Sequence, residues 1–145
     1  MSIKDQVQSA IKEAMKSRET TRLECLRLAK GALLMKEKES SADLTDNVAI
    51  AVLRTEVKKR QQSIEIFREH GKEDEAKATE EEIRILEEFL PQQLAADQIE
   101  EKVRAYLAEH PDIDHAGKLT GALKKELGDQ ADGKLLNEIC RKVLE

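Results

Sequence analysis

The chain has 145 residues, of which 39% are hydrophobic and 38% charged, with a formal net charge of −5, enough for one ordinary domain or two small ones. With no Trp, one Tyr and two Phe, any core must be built from Leu, Ile, Val and Ala, a composition that favours helices. No apolar run approaches the roughly eighteen residues of a membrane span, and the opening stretch MSIKDQVQSAIKEAMK is amphipathic without an apolar signal core, so a cytoplasmic protein is expected.

The charge is unevenly spread. Residues 1–38 carry nine Lys/Arg against five Asp/Glu (+4), residues 39–110 ten against eighteen (−8), and residues 111–145 six against seven (−1). Basic ends flanking an acidic middle permit a nucleic-acid-binding face without demonstrating one. Cys25 and Cys140 lie far apart with no CxxC neighbour and are read as reduced, core-facing thiols.

In chain order, Ser2 and Asp5 match the S-x-x-D capping pattern, and Ile3, Val7, Ile11 and Ala14 follow on one helical stripe. Ser17 is a candidate cap for a second helix over Arg18–Glu39, with Leu23, Leu26, Leu28, Ala32, Leu33 and Met35 as a broad apolar side and Arg18, Arg22, Arg27 and Lys30 dressing it. After the polar loop around Ser40–Leu44, Thr45 caps a long helix that Gly71 ends. Its apolar residues Ile50, Leu53, Val57, Ile64 and Phe67 follow steps of three and four, the seam of a bundle. Arg60 occupies a seam slot. A charge there is costly unless paired, so it either salt-bridges a glutamate of the next helix or faces a partner.

A fourth helix is predicted over Glu73–Phe89, with Ile83, Leu86, Phe89 and Leu90 apolar and Glu80-Glu81-Glu82 a solvated face. Pro91 stops it, and Leu90–Leu94 marks a domain joint. Beyond it come a helix over Asp97–Glu109, halted before Pro111, and two short helices with Asp114 and Asp132 as candidate N-caps. Gly128 closes the first of these. The fold class is therefore all-α: an N-terminal bundle of long antiparallel helices over residues 1–91 and a smaller three-helix domain over residues 94–145.

The last third repeats a short pattern. Gly117-Lys118-Leu119, with Leu123, Lys125 and Leu127, returns sixteen residues later as Gly133-Lys134-Leu135, with Ile139, Arg141 and Val143. If both helices begin alike, each presents a glycine and a lysine in its first turn, where free N–H groups and a partial positive charge suit an anion such as phosphate. Lys124, Lys125, Arg141 and Lys142 could extend that surface.

The constellations of catalysis are missing. His70, His110 and His115 have no metal-ligand spacing and no cysteine in register, so no metal or cofactor is expected. There is no G-x-S-x-G. The Gly-Lys pairs are no phosphate-binding P-loop, since leucine follows each lysine where Ser or Thr is required. No glutamate is forced into an apolar setting that would tune it.

The ordered segments AMK, RLECLRLAKGAL, EVKKRQQSIEIF with its glycine turn and acidic helix, EEFLPQQL, GKLTGAL and ADGKLLNEI together resemble the stand-alone YqeY proteins of the GatB/YqeY family, over residues 2–144. The resemblance implies an all-helical protein of two parts, related to the tail of the B subunit of the tRNA-dependent amidotransferase. That enzyme is a carbon–nitrogen ligase using glutamine as amido-N donor, and its tail helps to hold Glu-tRNA(Gln) or Asp-tRNA(Asn). The chemistry lies in a cradle domain to which nothing here corresponds. The shared positions are Gly117, Lys118, Gly121, Asp132, Gly133, Lys134 and Asn137.

The expected function is thus a non-catalytic accessory module, monomeric, that touches tRNA or an aminoacyl-tRNA-handling enzyme through phosphates, since one Tyr and two Phe leave little for base stacking. The rival is a protein–protein adaptor whose long acidic helices over Thr45–Phe89 present a partner surface. An exposed apolar stripe there would favour the adaptor; a positive face spanning Lys118 and Lys134 would favour RNA.

Overall fold

The computed structural model describes residues 1–145. It contains seven α-helices and no strand: α1 Ile3–Ser17, α2 Thr20–Ser40, α3 Asp46–Glu69, α4 Glu73–Glu87, α5 Ala96–Glu109, α6 Ala116–Leu127 and α7 Gly133–Leu144. A single 3₁₀ turn, Gly128–Gln130, stands between α6 and α7. The chain divides into two compact units, Met1–Leu90 and Pro91–Glu145.

In the first unit, local chemistry sets most helix ends. The Ser2 hydroxyl accepts from the Asp5 N–H and the Thr45 hydroxyl from the Val48 N–H, each satisfying one orphan donor of a first turn. Helix α3 ends at Glu69, and two residues on the chain turns at Gly71, whose φ of +70° is open to glycine without strain. There the Lys72 N–H reaches the Phe67 carbonyl at 2.8 Å and the Gly71 N–H reaches Arg68 at 3.2 Å, so the chain turns straight into α4.

Ser17 does not cap α2. Its hydroxyl donates back to the Glu13 carbonyl within α1, and α1 closes on Arg18 in the left-handed region at φ 58°. Helix α2 starts at Thr20 behind Glu19, without a side-chain cap. Its position is fixed by burial instead, since Cys25, Leu26, Ala29 and Leu33 sink into the core against Val7, Ala14, Ala49, Leu53 and Leu86.

Two of the apolar residues expected to face inward on α2 do not: Leu28 is 60% and Met35 65% exposed. Helix α4 ends at Glu87 rather than Phe89, and residues 88–90 continue as tight turns up to Pro91.

The glutamate run on α4 is more than a solvated face. Glu80 pairs with Arg68, Glu81 with Arg84 and Glu82 with Arg60. Arg60 is 12% exposed, held by Glu56 of its own helix at 3.4 Å and by Glu82 at 3.6 Å. This is the paired, edge-of-seam arrangement expected of a charge in that slot. Arg22 likewise ties the start of α2 to Glu88, whose hydrogen bond holds the guanidinium pKa above its ordinary value. Burial pushes the Cys25 thiol up to about 11, so it is protonated and inert at neutral pH.

The second unit packs Ile99 and Val103 of α5, Leu119, Leu123 and Leu127 of α6, and Leu136, Ile139 and Cys140 of α7 around one small core, with Ile113 and Ala131 from the connections. The segment after Pro91 is pinned to it: the Leu94 N–H donates to the Gln130 carbonyl at 2.7 Å and the Gln93 side chain to the Asp129 carbonyl at 3.0 Å. Lys142 of α7 reaches Glu100 of α5 at 3.2 Å and lowers its pKa. That pair acts above the usual carboxylate range and is lost as pH falls through the depressed value. No helix of the protein is long and apolar enough to cross a membrane.

Candidate nucleic-acid interface

The two Gly-Lys pairs do not occupy equivalent places. Helix α6 is capped by His115, whose Nδ1 accepts from the Gly117 N–H at 3.1 Å. Asp114, the expected cap, lies one residue too early. Helix α7 is capped by Asp132, whose carboxylate accepts from the Leu135 N–H at 3.1 Å, as expected.

The caps therefore stand seventeen residues apart (132 less 115), whereas the sequence pattern repeats at sixteen. Burial follows the caps: Leu119 and Leu123 in α6 answer to Leu136 and Cys140 in α7, all of them buried. Lys118 is consequently the third residue of its helix and Lys134 the second of its own, about 100° apart around the helix axis. The helices do not begin the same way.

Gly117 has a role in the cap. A Cβ there would meet the His115 ring at 2.9 Å, so glycine lets the imidazole fold over the helix end. In that arrangement the Gly117 N–H is taken by His115 rather than offered to a ligand. Around Gly121 and Gly133 a Cβ would meet nothing within 4 Å. These glycines leave open backbone on α6 and at the start of α7. Gly121→Ala is accordingly expected to raise the stability of this unit by about 0.5–1 kcal/mol, the helix-propensity difference. Gly117→Ala should give no gain, because displacing His115 costs about as much in lost capping. Thermal denaturation of the two variants side by side checks this.

Of the lysines singled out from the sequence, Lys124 is committed to the fold. Its ammonium donates to the Ala131 carbonyl at 2.5 Å, bracing the connection between α6 and α7. Lys118, Lys125, Lys134 and Arg141 are exposed and make no ion pair, whereas Lys142 is engaged by Glu100. Asn137 is half-buried on α7. The only tyrosine, Tyr106, stacks on His110 with ring centroids 4.2 Å apart, so its face is already occupied on one side. No three His, Cys, Asp or Glu side chains gather where they could hold a metal ion.

These features define an all-helical, two-unit protein whose smaller unit exposes free cations around its last two helices. A family model described as Yqey-like protein matches residues 4–144. The chain belongs to that family. No curated protein matches it.

Proposed function

We propose that the protein is a non-catalytic accessory module that contacts tRNA, or an enzyme handling aminoacyl-tRNA, through the phosphate backbone. The chain belongs to the Yqey-like family, and its resemblance to the tail of the amidotransferase B subunit implies a part in holding tRNA. The observation that carries the reading is the group of four exposed cations, Lys118, Lys125, Lys134 and Arg141, left without acidic partners in a chain of net charge −5. On the first unit Arg22, Arg60 and Arg68 are spent on intramolecular pairs, while Lys12, Lys16, Arg27 and Lys36 are exposed and, like the four, make none. Unpaired cations on a helical surface bind a polyanion by releasing its counterions, and that mode needs neither aromatic stacking nor base readout.

The test is binding of the purified full chain to total tRNA across a salt series, beside Lys118→Ala with Lys134→Ala. Affinity should fall steeply with salt. In the double variant it should be weaker and the slope smaller by about one for each phosphate contact removed. An unchanged slope would remove these two lysines from the interface, and no binding at low salt would end the RNA reading.

A second reading, the protein–protein adaptor, draws on exposed apolar side chains of the first unit: Ile66 on α3, within the Thr45–Phe89 surface expected for a partner, and Leu28 and Met35 on α2, outside it. It concerns the other unit and does not compete for the same residues.

A further inference from the structure

Helices α5 and α6 each pack closely on α7 but hardly on one another. A cavity of about 320 Å³ stays open between them, at the small end of ligand pockets. Lys102, Tyr106 and His110 line it from α5 at successive turns. Leu123 and Leu127 of α6, both buried, face it from the other side.

In a chain with one tyrosine and no tryptophan, the one aromatic stack lies here. The Tyr106 and His110 rings are 15° from parallel with centroids 4.2 Å apart. The His110 Nδ1–H donates to the Tyr106 carbonyl at 3.1 Å, and Tyr106 packs on the core of its unit. The phenol ring is thereby fixed in advance, so stacking on it loses little conformational freedom. His110 covers one face. The other looks along the helix towards Lys102, one turn the opposite way. A flat molecule entering there meets the phenol face and the two leucines, and the Lys102 stem can fold over it.

The rim selects among flat molecules. Glu109 and Glu126 also line the cavity, and both are exposed without an ion-pair partner, as is Lys102. Two carboxylates outweigh one ammonium, so an anionic ring or an edge made only of acceptors is disfavoured. An edge that donates is matched, since carboxylates accept from exocyclic amines such as N4 of cytosine.

We propose that this cavity binds one unpaired nucleobase carrying an exocyclic amino group, stacked on Tyr106 with its amino edge on Glu109 and Glu126. A free nucleoside and an unpaired base of an RNA share that chemistry, and only the second source rests on the RNA reading above.

The experiment titrates the full chain with cytidine and with uridine, whose rings present an amine and a carbonyl at the same position. The ring resonances of Tyr106, the only tyrosine, are followed by NMR. Cytidine should shift them upfield and bind at least about fivefold tighter than uridine. Glu109→Gln with Glu126→Gln should erase that preference and leave the fold intact, because both side chains are exposed. Tyr106→Leu should weaken cytidine at least about fivefold, read by saturation transfer to the nucleoside, whereas Tyr106→Phe keeps the ring and the affinity.

Equal binding of the two nucleosides, no binding of either, or a preference that survives the double glutamine variant overturns the proposal. A short oligocytidylate that binds more tightly than cytidine, and loses that gain in Tyr106→Leu, makes RNA the source of the base; one that binds no better makes it a free nucleoside. Lys118→Ala with Lys134→Ala should leave cytidine binding unchanged, since neither lysine lines the cavity, so the two readings fail separately.

Discussion

Leu53→Ala is expected to expose Cys25 to thiol reagents without exposing Cys140, and Leu136→Ala to do the reverse. Both leucines are fully buried. Each loses the transfer energy of its missing methyl groups and leaves a cavity, together about 2–5 kcal/mol. That is a large share of the stability a small helical unit has to lose. Cys25 sits in the core with Leu53, and Cys140 in the core with Leu136, so each thiol reports the opening of its own unit. In the folded protein, burial holds both above the ordinary thiol pKa, and labelling at neutral pH therefore follows opening rather than thiol acidity. A second readout comes from Tyr106, the only tyrosine in a chain without tryptophan. Its fluorescence belongs to the second unit alone, and its thermal transition should shift down in Leu136→Ala. Equal labelling of both cysteines in either single variant would show that the two cores open as one.

The linkage of Cys25 also has a sign. Its folded pKa is raised, to about 11, so its contribution to stability is whole below the ordinary thiol value and is lost as pH rises from there towards 11. Alkaline destabilisation of the first unit should therefore shrink in Cys25→Ala, to the extent that alanine leaves the packing intact.

What could be read from the sequence follows the range over which each choice is decided. Ser2, Thr45, Gly71 and Asp132 act on the turn beside them, and their roles were visible in a few residues. The all-helical class followed from composition and from the absence of any alternating pattern. Ser17 failed because its hydroxyl had a competing acceptor one turn back, the Glu13 carbonyl. Asp114 is a commoner kind of cap than His115 beside it, and only the close approach of the imidazole to Gly117 reveals the choice.

Helix α2 resisted for a different reason. Its apolar residues lie nearly all round the helix, so periodicity cannot say which go inward; packing against α1, α3 and α4 decides. Read the other way, that all-round distribution was itself the sign of a helix with two apolar faces. At the candidate site, the exposure of Lys118 and Lys134 accords with their place on helix surfaces. The bond from Lys124 to Ala131 spans seven residues and a turn and has no local pattern. The Gly-Lys repeat is an identity of residues and not of helical position, and one residue of offset turns a side chain by about 100°.

Arg60→Ala is expected to destabilise the first unit by about 2 kcal/mol, whereas Arg60→Met should cost less than about 1 kcal/mol. The alanine variant removes the aliphatic stem that covers the seam and strands Glu82, less than one-third exposed, beside it, while Glu56 keeps Lys59 at 3.1 Å. Methionine keeps a stem of similar length and reach. It also removes a donor that the fold leaves unmet, since Arg60 Nε is buried without a hydrogen-bond partner and Glu82 stands 3.6 Å away. An unmet buried donor costs on the order of 1–3 kcal/mol, which offsets much of what the ion pair contributes. Chemical denaturation of the three proteins, followed through Cys25 labelling, separates the cases. Should methionine prove as costly as alanine, the guanidinium itself, and not its stem, would be what holds α3 to α4 at this level.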